Sequence, residues 1–122
     1  MRRASLVQSF LAALAGVRHV FVTQRNARIE TAILVLVVIA GVWLELSSLQ
    51  WAVIAVCAGS VLATEIVNTA LEAVVNLLSP EYHDSARDAK DTAAAAVLIV
   101  SIASVVVGLM ILGPPLWSRL FG

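Results

Sequence analysis

Long apolar stretches separated by short polar segments dominate the chain, and their lengths predict membrane-spanning helices. A transmembrane helix needs about 20 predominantly apolar residues. We expect three spans, at about 29–47, 50–78 and 90–113. Pro80 should end the second span, and Gly113, Pro114 and Pro115 should end the third, because proline interrupts the helical hydrogen-bond ladder. The pattern therefore predicts an all-α membrane protein.

Residues 4–22 carry a different pattern, in which apolar side chains recur at helical spacing with polar ones between them. The apolar positions are Val7, Phe10, Leu14, Val17 and Phe21. Such a stripe is typical of an amphipathic helix that lies in the membrane interface. The alternative is a signal peptide, because Arg2 and Arg3 precede the apolar patch. Gln8 and Ser9 interrupt that patch, so we favour the surface helix.

The composition agrees with a membrane protein and argues against some classes of function. Of the 122 residues, 61% are hydrophobic and 13% are charged, whereas soluble proteins average about 45–50% and 25%. The length predicts one domain over 1–122. A net charge of zero and the lack of a basic patch argue against nucleic acid as a partner. Cys57 is the single cysteine and closes no intramolecular disulfide.

The basic residues predict the orientation of the spans. Five precede span one, two lie between spans two and three, and one follows span three: Arg2, Arg3, Arg18, Arg25, Arg28, then Arg87 and Lys90, then Arg119. Seven of the eight therefore fall on one side, which the positive-inside rule assigns to the cytoplasm. We expect a cytoplasmic N-terminus and an outer C-terminus.

Three polar residues inside the second apolar run are the strongest candidates for function. Glu65, Asn68 and Glu72 are spaced i, i+3 and i+7, so their side chains fall within about 60° of one helix face. An ionisable group near the bilayer centre costs roughly a few kcal/mol and is a functional-site hypothesis by default. This polar stripe needs a partner: another helix, a metal, a ligand or water.

These residue types suit the handling of a phosphate and a divalent cation, but other roles fit the spacing equally well. Glu65 and Glu72 are about 10 Å apart along the helix axis, so one would bind metal while the other acts on a hydroxyl. Lys90 offers a point charge for phosphate oxygens. The stripe could instead hold helices together by hydrogen bonds, or line an ion or proton path. Spacing alone leaves these alternatives open.

An ordered set of motifs resembles the prokaryotic diacylglycerol kinase family, which includes undecaprenol kinases. The matching segments are Glu65-Ile-Val-Asn68-Thr-Ala-Leu-Glu72, Glu81-Tyr82-His83 and Ala89-Lys90-Asp91. The resemblance covers roughly residues 9–113. It implies an ATP-dependent lipid kinase, with Mg²⁺ as cofactor, that transfers the γ-phosphate to a membrane lipid hydroxyl at the cytoplasmic interface. It also implies a homotrimer in a bacterial cell membrane, with active sites shared between subunits.

The resemblance assigns roles to the matching positions of this chain. Glu65 resembles the general base that takes the lipid hydroxyl proton, and Glu72 resembles a metal ligand. Asn68 resembles a residue that orients phosphate or metal. Lys90 resembles the phosphate-contacting lysine, and Asp91 its neighbour in the nucleotide site.

The segment before span one completes the expected site and also departs from the family pattern. Arg28 matches a position near the nucleotide, and Glu30 matches one near the substrate. Gln24 stands where many members carry a metal-binding glutamate, which predicts weaker metal affinity. Asn76 stands where many members carry aspartate. An impaired family member, or a small multi-span membrane protein without enzymatic activity, is therefore the alternative function.

The acceptor lipid is the least determined expectation. The segment Thr23-Gln24-Arg25-Asn26, with Arg28-Ile29 after it, looks more like the undecaprenol-kinase branch. Glu30, where that branch often has histidine, favours the diacylglycerol side. We lean slightly toward undecaprenol-type or broad lipid-alcohol specificity.

Overall fold

The computed structural model describes residues 5–122, and these residues form four helices. The helices are α1 (Leu6–Thr23), α2 (Arg25–Trp43), α3 (Ser48–Leu78) and α4 (Asp84–Phe121). The predicted all-α class is confirmed. By length and composition all four could cross a membrane, one more than the three spans expected, and the surface location of α1 stays a prediction. Met1–Ala4, including Arg2 and Arg3, lie outside the described residues.

Both α1 and α3 begin with a capping box. The Ser47 hydroxyl accepts a hydrogen bond from the Gln50 backbone N–H at 3.2 Å, while the Gln50 side-chain oxygen accepts from the Ser47 N–H at 2.9 Å. Ser5 and Gln8 repeat this arrangement at the start of α1. These reciprocal bonds satisfy two backbone donors that a helix start leaves without partners. The Ser-x-x-Gln spacing therefore explains where these helices begin.

The end of α3 lies where the sequence predicts it. Leu78 is its last residue, and the Ser79 backbone N–H donates to the Val75 carbonyl at 2.8 Å. Pro80 follows and has no N–H with which to continue the ladder. The connection to α4 is short, so α3 and α4 pack side by side as antiparallel neighbours, the most extensive helix pairing among the described residues.

The bounds of α4 correct two expectations. The helix starts at Asp84, where the His83 ring Nδ1 accepts a hydrogen bond from the Ser85 N–H at 3.1 Å. Arg87 and Lys90 therefore lie on a helix and not in a loop. The expected end at Gly113 is wrong, because the helix continues through Pro114 and Pro115 to Phe121. Proline's fixed φ is itself helical, so each proline removes one ladder bond without ending the helix.

The turn between α2 and α3 brings the two helices into close contact. Glu45 has a φ of 56°, the left-handed region that a side chain other than glycine rarely adopts. A Cβ at Gly41 would lie 2.6 Å from the Trp51 ring atom Cη2. The Trp51 ring thus packs directly on the α2 backbone, and only glycine leaves room for it.

Candidate active site

A cavity of about 620 Å³ opens between α2, α3 and α4, and polar side chains from all three helices line it. Its polar lining residues are Asn26, Glu30, Glu65, Asn68, Asp91 and Ser101. Four of these were predicted as site residues from the sequence: Glu30, Glu65, Asn68 and Asp91. The fold therefore brings together residues that are up to 61 positions apart in the chain.

Glu65 is the most deeply buried of the charged residues described. Its side chain is only 3% exposed, and its Oε1 atom has no hydrogen-bond partner within residues 5–122. A carboxylate removed from water without a partner is strongly disfavoured. The atom is therefore placed to receive a ligand, either a proton donor or a cation.

Glu30 supplies a second carboxyl group at the same place. It lines the cavity with Glu65, and the two carboxyl groups are close enough to interact electrostatically. Two negative charges in a poorly solvated site repel each other unless a proton or a cation lies between them. The pair thus marks the part of the cavity where positive charge is best accommodated.

Asn68 and Glu72 form a linked pair on the same face of α3. The Asn68 side-chain Nδ2 donates a hydrogen bond to Glu72 Oε1 at 3.4 Å. The Asn68 Oδ1 atom is buried and lacks a partner in the described part of the chain. The amide is thus held by Glu72 on one side and leaves a free oxygen acceptor on the other.

The remaining predicted residues do not line the cavity. Glu72 reaches it through Asn68. Lys90 directly precedes the lining residue Asp91 on α4. Gln24 is the single residue between α1 and α2, and its backbone N–H donates to the Val20 carbonyl at 2.8 Å. The roles expected for these residues stay predictions.

Arg28 has a structural contact that the sequence did not indicate. Its Nη1 atom donates hydrogen bonds to the Phe21 and Val22 carbonyl oxygens, at 2.9 and 3.0 Å. The last carbonyls of a helix lack intrahelical partners and carry partial negative charge. The guanidinium therefore caps the end of α1, next to the joint at Gln24.

The sequence did not predict two of the cavity residues, Asn26 and Ser101. Ser101 lies inside the third apolar run, and its Oγ atom is buried without a partner among residues 5–122. Five of the six cavity residues of α4 recur at helical spacing along one face: Asp91, Ala94, Ala95, Leu98 and Ser101, with Val97 beside them. This spacing is the signal that could have pointed to Ser101.

The donor atoms suit a hard divalent cation such as Mg²⁺. Glu65 Oε1 and Asn68 Oδ1 are buried oxygen atoms without partners in the described residues, and Asp91 lines the same cavity. Mg²⁺ prefers oxygen ligands and usually keeps only one or two carboxylates, with water and phosphate completing its shell. Within 5–122 no group of three or more His, Cys, Asp or Glu residues is placed to hold an ion by itself.

Fold and cavity together define a small helical membrane protein with a buried acidic site. The sequence model of the prokaryotic diacylglycerol kinase family matches residues 11–112. The chain belongs to the prokaryotic diacylglycerol kinase family. It is a lipid kinase, a phosphotransferase that acts on lipid.

Relatives with two different names support this assignment. The chain is 47% identical over 115 residues to a diacylglycerol kinase of Synechocystis sp., covering 93% of this chain and 66% of that one. It is 36% identical over 109 residues to an undecaprenol kinase of Bacillus subtilis, covering 89% of each. It is 32% identical over 104 residues to a diacylglycerol kinase of Escherichia coli, covering 85% of this chain and 82% of that one.

Proposed function

We propose that the protein transfers the γ-phosphate of ATP to the hydroxyl of a membrane lipid, diacylglycerol or a polyprenol such as undecaprenol, with Mg²⁺. The bond between the γ-phosphorus and its bridging oxygen breaks, and a new bond forms to the lipid oxygen. The hydroxyl proton goes to a carboxylate, and ADP leaves. The cavity between α2, α3 and α4 is the proposed site of this exchange.

The observation that carries the proposal is the buried Glu65 carboxyl with an unpartnered oxygen. A general base must reach the proton that it removes, and it must be free of competing hydrogen bonds. Glu65 Oε1 meets the second condition among the described residues, and Glu65 lines the cavity in which the hydroxyl would bind. Glu65 is therefore the proposed base, with Glu30 beside the acceptor.

The nucleotide is proposed to bind toward the connection between α3 and α4. Asp91 lines the cavity at this end, and Lys90 is its neighbour. A lysine ammonium is a suitable point charge for phosphate oxygens. Arg28 lies on α2, close to Asn26 in the chain, and would add positive charge at the same end while it caps α1.

Mg²⁺ would neutralise phosphate charge and orient the transferring group. Asn68 and Glu72 are the proposed protein ligands, because Asn68 Oδ1 has no partner among the described residues and Glu72 holds the amide in place. Gln24 is proposed as a weaker contributor, since an amide oxygen lacks the charge of a carboxylate. The remaining ligands would be water and phosphate oxygens.

The proposed location is the cytoplasmic face of a bacterial inner membrane. The excess of basic residues around α1, the start of α2 and the start of α4 supports it. Many large apolar side chains are exposed on the isolated chain, among them Leu36, Val56 and Leu109. These surfaces suit contact with lipid and with further copies of the chain, and we propose a homotrimer.

The test is phosphate transfer from γ-labelled ATP by the purified, membrane-inserted protein in mixed micelles. Diacylglycerol and undecaprenol are offered separately, with Mg²⁺ and after its chelation. Label in either lipid, lost on chelation and restored by added Mg²⁺, supports the proposal. Failure to label both lipids, with protein that is correctly folded, would overturn it.

A further inference from the structure

A second cavity of about 740 Å³ continues from the acidic one along α2, α3 and α4. Apolar side chains line it, including Leu34, Ile54, Leu62 and Leu112. Glu30 and Ser101 line both cavities. These two residues therefore stand at the junction between the polar site and an apolar groove.

The direction of the groove suits a hydrocarbon chain. On α4 the acidic cavity extends from Asp91 to Ser101, about 15 Å along the helix, and the groove continues to Leu116, about 22 Å further. A lipid whose hydroxyl is near Glu65 would thus lead its chain past Ser101 into the groove. Because the two cavities are continuous, a lipid hydrocarbon chain is the occupant that fits the groove.

The Ser101 hydroxyl stands where the two cavities meet, and it is a buried polar group. Its Oγ atom is inaccessible and unbonded among residues 5–122. Five threonines instead donate to the carbonyl four residues earlier, at 2.7–3.0 Å: Thr23, Thr31, Thr64, Thr69 and Thr92. Hydroxyls in helices commonly bond back in this way. The Ser101 hydroxyl thus lacks the hydrogen-bond partner that a ligand in the adjoining cavities could supply.

We propose that Ser101 is a specificity-determining residue that donates a hydrogen bond to an ester carbonyl of the acceptor lipid. This inference rests on the proposed function. In diacylglycerol the first ester lies a few bonds from the free hydroxyl, at the start of its hydrocarbon chains. A polyprenol presents only hydrocarbon there and leaves the buried serine unsatisfied. The site therefore favours diacylglycerol.

Glu30 is the other polar residue at the junction, and its carboxyl group lies beside that of Glu65. An ester carbonyl accepts hydrogen bonds and donates none. A serine hydroxyl supplies the donor that the ester requires. Ser104 lies one turn further along the groove and outside the acidic cavity, so it provides a matched control.

The experiment compares Ser101→Ala with Ser104→Ala on three acceptors: diacylglycerol, a dialkylglycerol with ethers in place of the esters, and undecaprenol. The wild-type protein should prefer the diacyl over the dialkyl lipid by roughly 3- to 10-fold in kcat/KM. Ser101→Ala should abolish this preference, mainly through a higher KM for diacylglycerol. Ser104→Ala should keep it, and undecaprenol transfer should change less than about twofold in either variant.

Three results would overturn the inference. An unchanged preference of Ser101→Ala for the diacyl lipid would show that the serine does not donate a hydrogen bond to the ester. An equal loss on all three acceptors would indicate a packing role, and altered assembly with unchanged kinetics would indicate that a second copy fills the groove. Wild-type protein that labels no acceptor would instead refute the proposed function on which this inference rests.

Discussion

The Asn68 amide donates a hydrogen bond to the Glu72 carboxylate at 3.4 Å, and the buried Asn68 Oδ1 atom has no partner within residues 5–122. The two residues are four positions apart on α3, where side chains meet on one face. Glu72 therefore acts on the cavity through Asn68 as well as through its charge. A change at Glu72 that keeps this bond can therefore test a metal role separately from a packing role.

Glu72→Gln keeps the shape of the side chain and an acceptor for Asn68 but removes the negative charge. We expect the Mg²⁺ concentration for half-maximal phosphate transfer to rise by about 10- to 100-fold, with little change in thermal unfolding. Magnesium titrations of activity measure this, with Glu45→Gln, an exposed change outside the cavity, as the control. Lower thermal stability with an unchanged magnesium requirement would indicate a packing role instead.

Gly41→Ala tests the contact between α2 and α3. The new Cβ would lie 2.6 Å from the Trp51 ring, so the ring or the helix must move, at a cost of about 1–3 kcal/mol. Gly16→Ala meets open space in the described structure and should be neutral or stabilising by up to about 1 kcal/mol. Unfolding in detergent compares the two; equal stabilities would contradict the packing of Trp51 on α2.

Arg28→Gln tests whether this arginine caps α1. The shorter, neutral side chain should lose the bonds to the Phe21 and Val22 carbonyls, so the last turn of α1 should open more often. Hydrogen exchange should accelerate at the Thr23 and Gln24 amides by about 2- to 10-fold. Arg25→Gln is the control, and equal exchange in both variants would refute the capping role.

Tyr82 gives a pH-dependent signal in the connection between α3 and α4. Its hydroxyl donates to Asp84 Oδ1 at 2.8 Å, and this bond raises the pKa of Tyr82 above its usual value. Because the folded pKa is raised, the contribution to stability is present at lower pH and is lost as pH rises through that pKa. Asp84→Asn should lower the pKa, which the phenolate absorbance of this single tyrosine reports directly. An unchanged titration would contradict the hydrogen bond.

The sequence predicts α3 and its polar stripe well because both depend on local pattern. A long apolar run, a Ser-x-x-Gln start and Pro80 fix the ends of this helix within two residues of the expected range. The spacing of Glu65 and Asn68 on one helix face follows from 3.6-residue periodicity. Neither requires knowledge of which helix packs beside α3.

The features that the sequence did not predict depend on tertiary contact. The bonds from Arg28 to α1 arise only because α1 ends next to α2 at Gln24. In the sequence, Ser101 looks like any other small residue in an apolar run. The packing of α4 on α3 is what places it at the junction of the two cavities. The sequence does not predict that α4 continues through Pro114, because proline usually ends a helix, although its φ fits one.

If the buried Glu65 carboxylate removes the proton of the lipid hydroxyl, replacing it by an amide should stop phosphate transfer, and Glu65→Gln makes this change while keeping the shape of the side chain. The measurement is the rate of phosphate transfer to lipid by membrane-inserted Glu65→Gln, with Glu45→Gln as the matched control and binding of Mg-ATP measured in both. We expect Glu65→Gln to bind nucleotide but to lose transfer by at least about 100-fold, while Glu45→Gln stays near the wild-type rate. Transfer by Glu65→Gln within a few-fold of the wild-type rate would contradict the account.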